Sequence, residues 1–178
     1  MSKYKCGLYI GRFQPLHIGH THIISRMFDE CETVIIAIGS AQESGTKRNP
    51  FGFAFREEMI QDTYEFYWNR LKIVPLNDRE NPSDDASWGD YVFNRVYEWC
   101  QLTPDVIYEG EESERTHWYD NLDVEVVKVH RGILPISGTM LREAIAQNDK
   151  TVASQWLPYA IREHYNRMRK EIRKCRKE

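Results

Sequence analysis

Two histidines three residues apart, His17 and His20, close the segment Gly11-Arg12-Phe13-Gln14-Pro15-Leu16-His17-Ile18-Gly19-His20, which follows a short apolar run. In the first turn of a helix, residues at that spacing point the same way. The backbone N–H groups of such a turn lack partners within the helix and favour anions. Gly19 between them has no side chain, so a ligand could come close to the backbone there. Imidazoles, the guanidinium of Arg12 and a helix start in one register suit a chain of phosphates. The alternative, two surface histidines beside a helix start by chance, must also account for the strand, the glycine turn and the proline. Other phosphate loops are absent, since the chain contains neither G-x-x-x-x-G-K-[ST] nor G-x-G-x-x-G.

A second element lies far along the chain, at Ile136-Ser137-Gly138-Thr139-Met140-Leu141-Arg142. Ser137 is a natural N-cap, and Arg142 sits about one turn into the helix it opens. Two hydroxyls, free N–H groups and a guanidinium fork suit phosphate oxygens. Alone the segment says little, because Ser-capped helices that carry an arginine are mostly structural.

The elements that must position these residues can be read from apolar periodicity. Cys6–Ile10, Thr33–Ile38, Leu71–Leu76, Val106–Tyr108 and Val124–Val129 are short apolar runs, as expected of strands buried on both faces. Helical patterns alternate with them at Ile18–Phe28, Ala54–Tyr67 and Asp90–Cys100, and the last third is helical at Thr139–Gln147, Thr151–Trp156 and from Tyr159 to about Arg176. The expectation is an α/β fold, a Rossmann-like parallel sheet of about five strands flanked by helices, with a helical C-terminal extension. One domain is expected over 1–178, its core about 4–147 and its C-terminal helices about 148–178. Ligands of such sheets bind beyond the carboxyl ends of the strands, and the unusual residues concentrate in those loops.

Composition fits this picture: 178 residues, 41% apolar and 29% charged, without a low-complexity block. No apolar run approaches the roughly 20 residues that span a bilayer, and the first residues lack the pattern of a secretory signal, so a cytoplasmic location is expected. Cys6, Cys31, Cys100 and Cys175 are too scattered for a zinc site and read as reduced thiols, Cys6 and Cys100 buried. The net charge of −3 hides a basic tail with eight Arg/Lys against three Glu in 162–178. We read it as the solvated face of a helix rather than a nucleic-acid surface.

His17-Ile18-Gly19-His20 resembles the H-x-G-H signature of the nucleotidyltransferase superfamily. Gly11–Pro15, Ile38–Ser44 and Asn49-Pro50-Phe51 resemble more narrowly the archaeal-type nicotinamide mononucleotide (NMN) adenylyltransferases, and the likeness covers most of residues 5–145. Ile136, Ser137, Thr139 and Arg142 match that superfamily's I-S-x-T-x-x-R element. The resemblance implies transfer of AMP from ATP to NMN, giving NAD and pyrophosphate, with Mg²⁺ held mainly by the ATP phosphates and no metal ligand from the protein. His17, His20 and Arg142 would be catalytic. ATP would be bound by Gly11, Arg12, Phe13, His17, Gly19, His20, Gly110, Ile136, Ser137, Thr139 and Arg142. NMN would meet Gly39, Ser40, Arg48, Asn49, Arg56, Asp78 and Trp88, the indole stacking on the cationic ring unless it merely staples the helix behind it.

The chain also departs from that pattern. Gly52 and Phe55 stand where a Thr and a Glu are usual, and Glu109-Gly110-Glu111-Glu112-Ser113-Glu114 replaces a small polar turn near the adenosine. The glutamates would face solvent, help bind metal or signal another acceptor, while Trp118 and Tyr119 read as core. Open alternatives are a transferase acting on nicotinate mononucleotide, phosphopantetheine, FMN or a cytidylyl acceptor, and a non-catalytic nucleotide-binding module. The archaeal-type enzymes are often oligomers, which the exposed aromatics would permit here.

Overall fold

The computed structural model describes residues 2–79, 85–111, 117–130 and 136–176. Five strands, β1 (Tyr4–Gly11), β2 (Cys31–Ile38), β3 (Leu71–Pro75), β4 (Val106–Gly110) and β5 (Glu125–Val129), form one parallel sheet in the order β3-β2-β1-β4-β5. Six helices accompany them among the described residues: α1 (Ile18–Glu30), α2 (Phe53–Thr63), α3 (Asp85–Cys100), α4 (Gly138–Ala146), α5 (Lys150–Trp156) and α6 (Tyr165–Lys174). The expected α/β architecture and the C-terminal helices are therefore present.

Both faces of the sheet are buried, and the alternation of side chains shows it. Val34, Ile36 and Ile38 of β2 enter one core cluster with Ile23, Ile24 and Met27 of α1. Ile35 and Ala37, pointing the other way, pack with Val92 and Val96 of α3. β4 divides likewise, Val106 and Tyr108 to the first cluster and Ile107 to the second. Trp118 and Tyr119 belong to the second cluster, as core residues.

Several boundaries differ from those the periodicity suggests. The helix expected over Ala54–Tyr67 ends at Thr63, with Tyr64 leaving helical geometry at φ −122° and a 3₁₀ turn at Glu65–Tyr67. The C-terminal helix likewise opens as a 3₁₀ turn, Tyr159–His164, before α6. The basic tail is not a free arm: Ile161, Tyr165, Met168 and Ile172 lie in the first core cluster beside α2 and α4, leaving the charges on the outer face. Among the cysteines, Cys6, Cys31 and Cys175 are buried and Cys100 only half-buried; all four are free thiols. No helix among the described residues is long and apolar enough to cross a membrane.

The strand order changes direction between β1 and β4, since β2 follows β1 on one side and β4 lies on the other. Loops at the carboxyl ends of strands flanking such a switch diverge and leave a crevice. The loop after β1 carries His17 and His20, so the topology puts the histidines where a ligand can enter.

Candidate active site

His17 is the N-cap of α1, with extended backbone at φ −146°, and His20 is the third residue of the helix. Their rings stack at 3.7 Å between centroids, 27° from parallel, so the three-residue spacing does place both imidazoles side by side. The His17 N–H donates to Nδ1 of His20 at 3.2 Å. With Nδ1 accepting, the proton of a neutral His20 ring resides on Nε2, which makes that nitrogen a donor suited to a phosphate oxygen. His17 is buried, whereas His20 is half-buried.

The late element closes on the same loop. Ser137 caps α4, its Oγ accepting from the Met140 N–H at 3.2 Å. Arg142 donates through Nη1 to the Gln14 carbonyl at 2.7 Å and through Nη2 to Thr139 Oγ1 at 3.1 Å. Ile136 packs against α1 so closely that a Cβ on Gly19 would lie 3.2 Å from its Cγ2 and 3.1 Å from the His17 ring. Gly19 thus lacks a side chain to let the two motifs and the His17 ring fit together. The space over it is filled by protein, a correction to the expectation that a ligand approaches there. Gly39 is open, since a Cβ there would meet nothing nearer than the Gly11 carbonyl at 3.8 Å.

In the loops after β1 and β2, two residues other than glycine hold left-handed backbone, Phe13 at φ 51° and Ser40 at φ 49°. Such strain persists only where the surroundings over-determine it. Arg56 does much of that. Its guanidinium donates to the carbonyls of Arg12 at 3.0 Å, Gly39 at 2.7 Å and Ser40 at 2.9 Å, tying the loop after β1 to the loop after β2. Arg56, expected to meet a substrate phosphate, is wholly buried and spends its guanidinium on these carbonyls, so it shapes the loops instead. Burial pushes its pKa down to about 10, with Asp78 opposing the fall, so it stays charged at neutral pH.

Phe13 needs the same correction. The ring is 1% exposed and packs edge-on to Tyr9 and at 4.8 Å from His20, so it supports the imidazole from behind rather than meeting a nucleotide. It also lies over Gly11, where a Cβ would come within 2.8 Å of the ring.

Gln14 is the residue that sequence reasoning missed. Its buried amide pairs with the backbone of Phe51, Nε2 donating to the carbonyl at 2.9 Å and Oε1 accepting from the N–H at 3.0 Å. Its own carbonyl takes Arg142, so one residue joins the loops after β1 and β2 to α4. A glutamine in a loop reads as solvent-exposed, and only its place before a proline marked it.

The remaining acceptor-side residues gather less tightly. Asn49 is buried, its Nδ2 donating to Glu43 and its N–H to Thr46 Oγ1 at 2.9 Å. Arg48 is exposed, yet near enough to Arg12 to lower the pKa of that guanidinium, after desolvation, while Asp78 and Glu43 raise it. Asp78 is held by Gln42, which donates to its carboxylate at 3.3 Å and accepts from its N–H at 3.0 Å. Trp88 is half-buried on α3, its ring 5.3 Å from that of Tyr91 and packed on the second core cluster. Gly110 ends β4 opposite Val129. Of the glutamate-rich segment, Glu109 is buried and accepts from the Tyr119 hydroxyl at 2.8 Å, and Glu111 meets His130 at 2.6 Å. Residues 112–114 lie outside the described residues.

Desolvation, and then Arg12 and Arg176, lower the pKa of Arg142. Guanidinium groups that repel one another are tolerated where an anion joins them. Stacked imidazoles, a helix N-terminus and these guanidinium groups, at the switch point of a parallel sheet, make a site suited to the phosphates of a nucleotide. The chain belongs to the cytidylyltransferase-like family, whose profile matches residues 8–165.

Several curated relatives share the name nicotinamide-nucleotide adenylyltransferase. It is 38% identical over 109 residues to the nicotinamide-nucleotide adenylyltransferase of Thermococcus kodakarensis, covering 60% of this chain and 54% of that one. The enzyme of the same name from Methanococcus aeolicus is 33% identical over 145 residues, 80% of this chain and 78% of the other. The chain spans about half the length of the Thermococcus and Pyrococcus relatives it matches. A bifunctional NMN adenylyltransferase/ADP ribose pyrophosphatase of Francisella tularensis, solved with AMP and a manganese ion, superposes with a TM-score of 0.68 at 26% identity, over 81% of this chain and 42% of that one.

Proposed function

We propose that this protein is a cytosolic enzyme that transfers the adenylyl group of ATP to NMN, forming NAD and pyrophosphate. The observation that carries the reading is the meeting of Arg142 with the histidine loop, through the 2.7 Å bond to the Gln14 carbonyl. The names of the relatives support NMN as acceptor.

In this reaction a phosphate oxygen of NMN attacks the α-phosphorus of ATP, and the bond from that phosphorus to the bridging oxygen of pyrophosphate breaks. The attacking phosphate has a second pKa of about 6 and is already largely a dianion, so no general base is needed. What the chain must supply is position and charge stabilisation. His20, with its Nε2 proton, and the stacked His17 donate to oxygens on the α-phosphate. Arg142 and Arg12 hold the departing pyrophosphate, with Ser137 and Thr139 at the N-terminus of α4. Gly39 and Ser40 border the open space for the acceptor, while Arg48 meets its phosphate, Asp78 and Trp88 flank its ring, and buried Asn49 holds Glu43 behind them.

Among the described residues, the site suits a divalent cation carried by the nucleotide. The carboxylates nearest Arg12 are Glu43 and Asp78, engaged by Asn49 and Gln42, and the phosphate-facing residues are imidazoles, guanidiniums and hydroxyls. Mg²⁺, a hard ion that prefers oxygen, would therefore be held by ATP oxygens and water, where it neutralises phosphate charge. One carboxylate–histidine group elsewhere, Glu58, Asp62 and His164, brings its ligand atoms within 4.8 Å, but Asp62 already pairs with His164 and Glu58 with Arg167.

Incubation with ATP, Mg²⁺ and NMN should yield NAD and pyrophosphate in equal amounts. A panel of nicotinate mononucleotide, phosphopantetheine, FMN and CTP-dependent acceptors, followed by pyrophosphate release, tests the choice. Faster turnover on any of these than on NMN would overturn the assignment.

A further inference from the structure

Beside Arg142 a cleft of about 450 Å³ opens between the loop after β2, the start of α4 and the end of α6, lined by Lys47, Thr139, Arg142, Glu143 and Arg176, with Cys175 and Ile172 at its floor. Two of these residues, Thr139 and Arg142, belong to the phosphate element already described. The other cations do not: Lys47 precedes the acceptor-side arginine, and Arg176 comes from the basic tail.

Lys47, Arg142 and Arg176 line the cleft together, and Arg142 also bonds the Gln14 carbonyl of the histidine loop, so it links the histidine end to the C-terminal end. Arg176 is held in place by a two-pronged ion pair with Glu143, through Nη1 at 3.1 Å to Oε1 and through Nη2 to Oε2. That carboxylate shields one face of the guanidinium and fixes its direction. A triphosphate whose α-phosphate lies at the imidazoles and whose next phosphate meets Arg142 extends toward this cleft.

We propose that Arg176, with Lys47 across the cleft, is the outermost cation of the phosphate site, binding the terminal phosphate of ATP and then the pyrophosphate, and that Glu143 restrains it. The C-terminal tail is then part of the nucleotide site rather than a surface for nucleic acid. This inference rests on the reading of the first site as a triphosphate site, not on the identity of the acceptor.

Calorimetry on the full chain tests it with ATP, inorganic tripolyphosphate and AMP. Arg176→Gln should weaken ATP and tripolyphosphate about tenfold and leave AMP, which lacks the outer phosphates, unchanged. Lys47→Gln should do the same more weakly. Glu143→Gln breaks the same ion pair but frees the guanidinium, so it should tighten tripolyphosphate severalfold. A purely structural ion pair predicts instead that Arg176→Gln and Glu143→Gln weaken binding alike, and that result overturns the proposal. Unchanged tripolyphosphate binding in Arg176→Gln overturns it equally. If the parent makes no NAD yet its ATP binding depends on Arg176, the acceptor reading fails and this one stands.

Discussion

His20 combines a fixed tautomer with partial exposure, the two properties a charge-stabilising donor needs. Its Nδ1 is taken by the His17 N–H, and Phe13 backs the ring. His20→Ala should therefore lower kcat by about 10²–10³-fold while the KM for ATP changes far less, because the lost interaction is strongest as charge develops at the α-phosphate. Steady-state kinetics with NMN and ATP checks the split. Gly19→Ala separates stability from activity at the neighbouring position. Alanine gains about 1 kcal/mol of helix propensity, and the two contacts near 3.2 Å cost a similar amount as neighbours yield. The melting temperature should barely move, yet turnover should fall at least about tenfold as the His17 ring is displaced.

At the scale of elements, the site is three segments held by two polar residues, Arg56 and Gln14. Replacing Arg56 by Met leaves the carbonyls of Arg12, Gly39 and Ser40 buried without their donor. A loss of about 3 kcal/mol or more is expected in urea unfolding, well above the cost of removing an exposed arginine. A variant as stable as the parent would mean that water or another side chain takes over those carbonyls. The residual folded enzyme should show a raised KM for NMN, since the loop after β2 frames the acceptor side.

Over the whole molecule, the C-terminal helices share the first core cluster with β1 and β2. Truncation after Tyr159 removes Ile161, Tyr165, Met168 and Ile172, each contributing about 1.5–3 kcal/mol by burial. Their sum is comparable to the about 5–15 kcal/mol by which a domain of this kind is stable. The truncated chain should fail to fold cooperatively, as circular dichroism during heating would report. The role of the tail is better probed by the charge substitutions at Arg176 and Glu143.

The parts legible in the sequence are those governed by local geometry. A three-residue spacing puts His17 and His20 side by side whatever surrounds them, Ser137 caps α4 through its own backbone neighbours, and runs such as Val34–Ile38 announce a strand covered on both faces. Tertiary structure decided what depends on residues distant in the chain. Arg56 and Phe13 read as ligand contacts because burial is invisible in a single sequence, and both proved to be supports. Gly19 seemed an opening until Ile136, more than a hundred residues later, filled it. Gln14 acquires a role only when Phe51 and Arg142 arrive beside it. Sequence names the groups able to meet a phosphate, whereas the pairing of far segments decides which of them face the ligand and which hold the others in place.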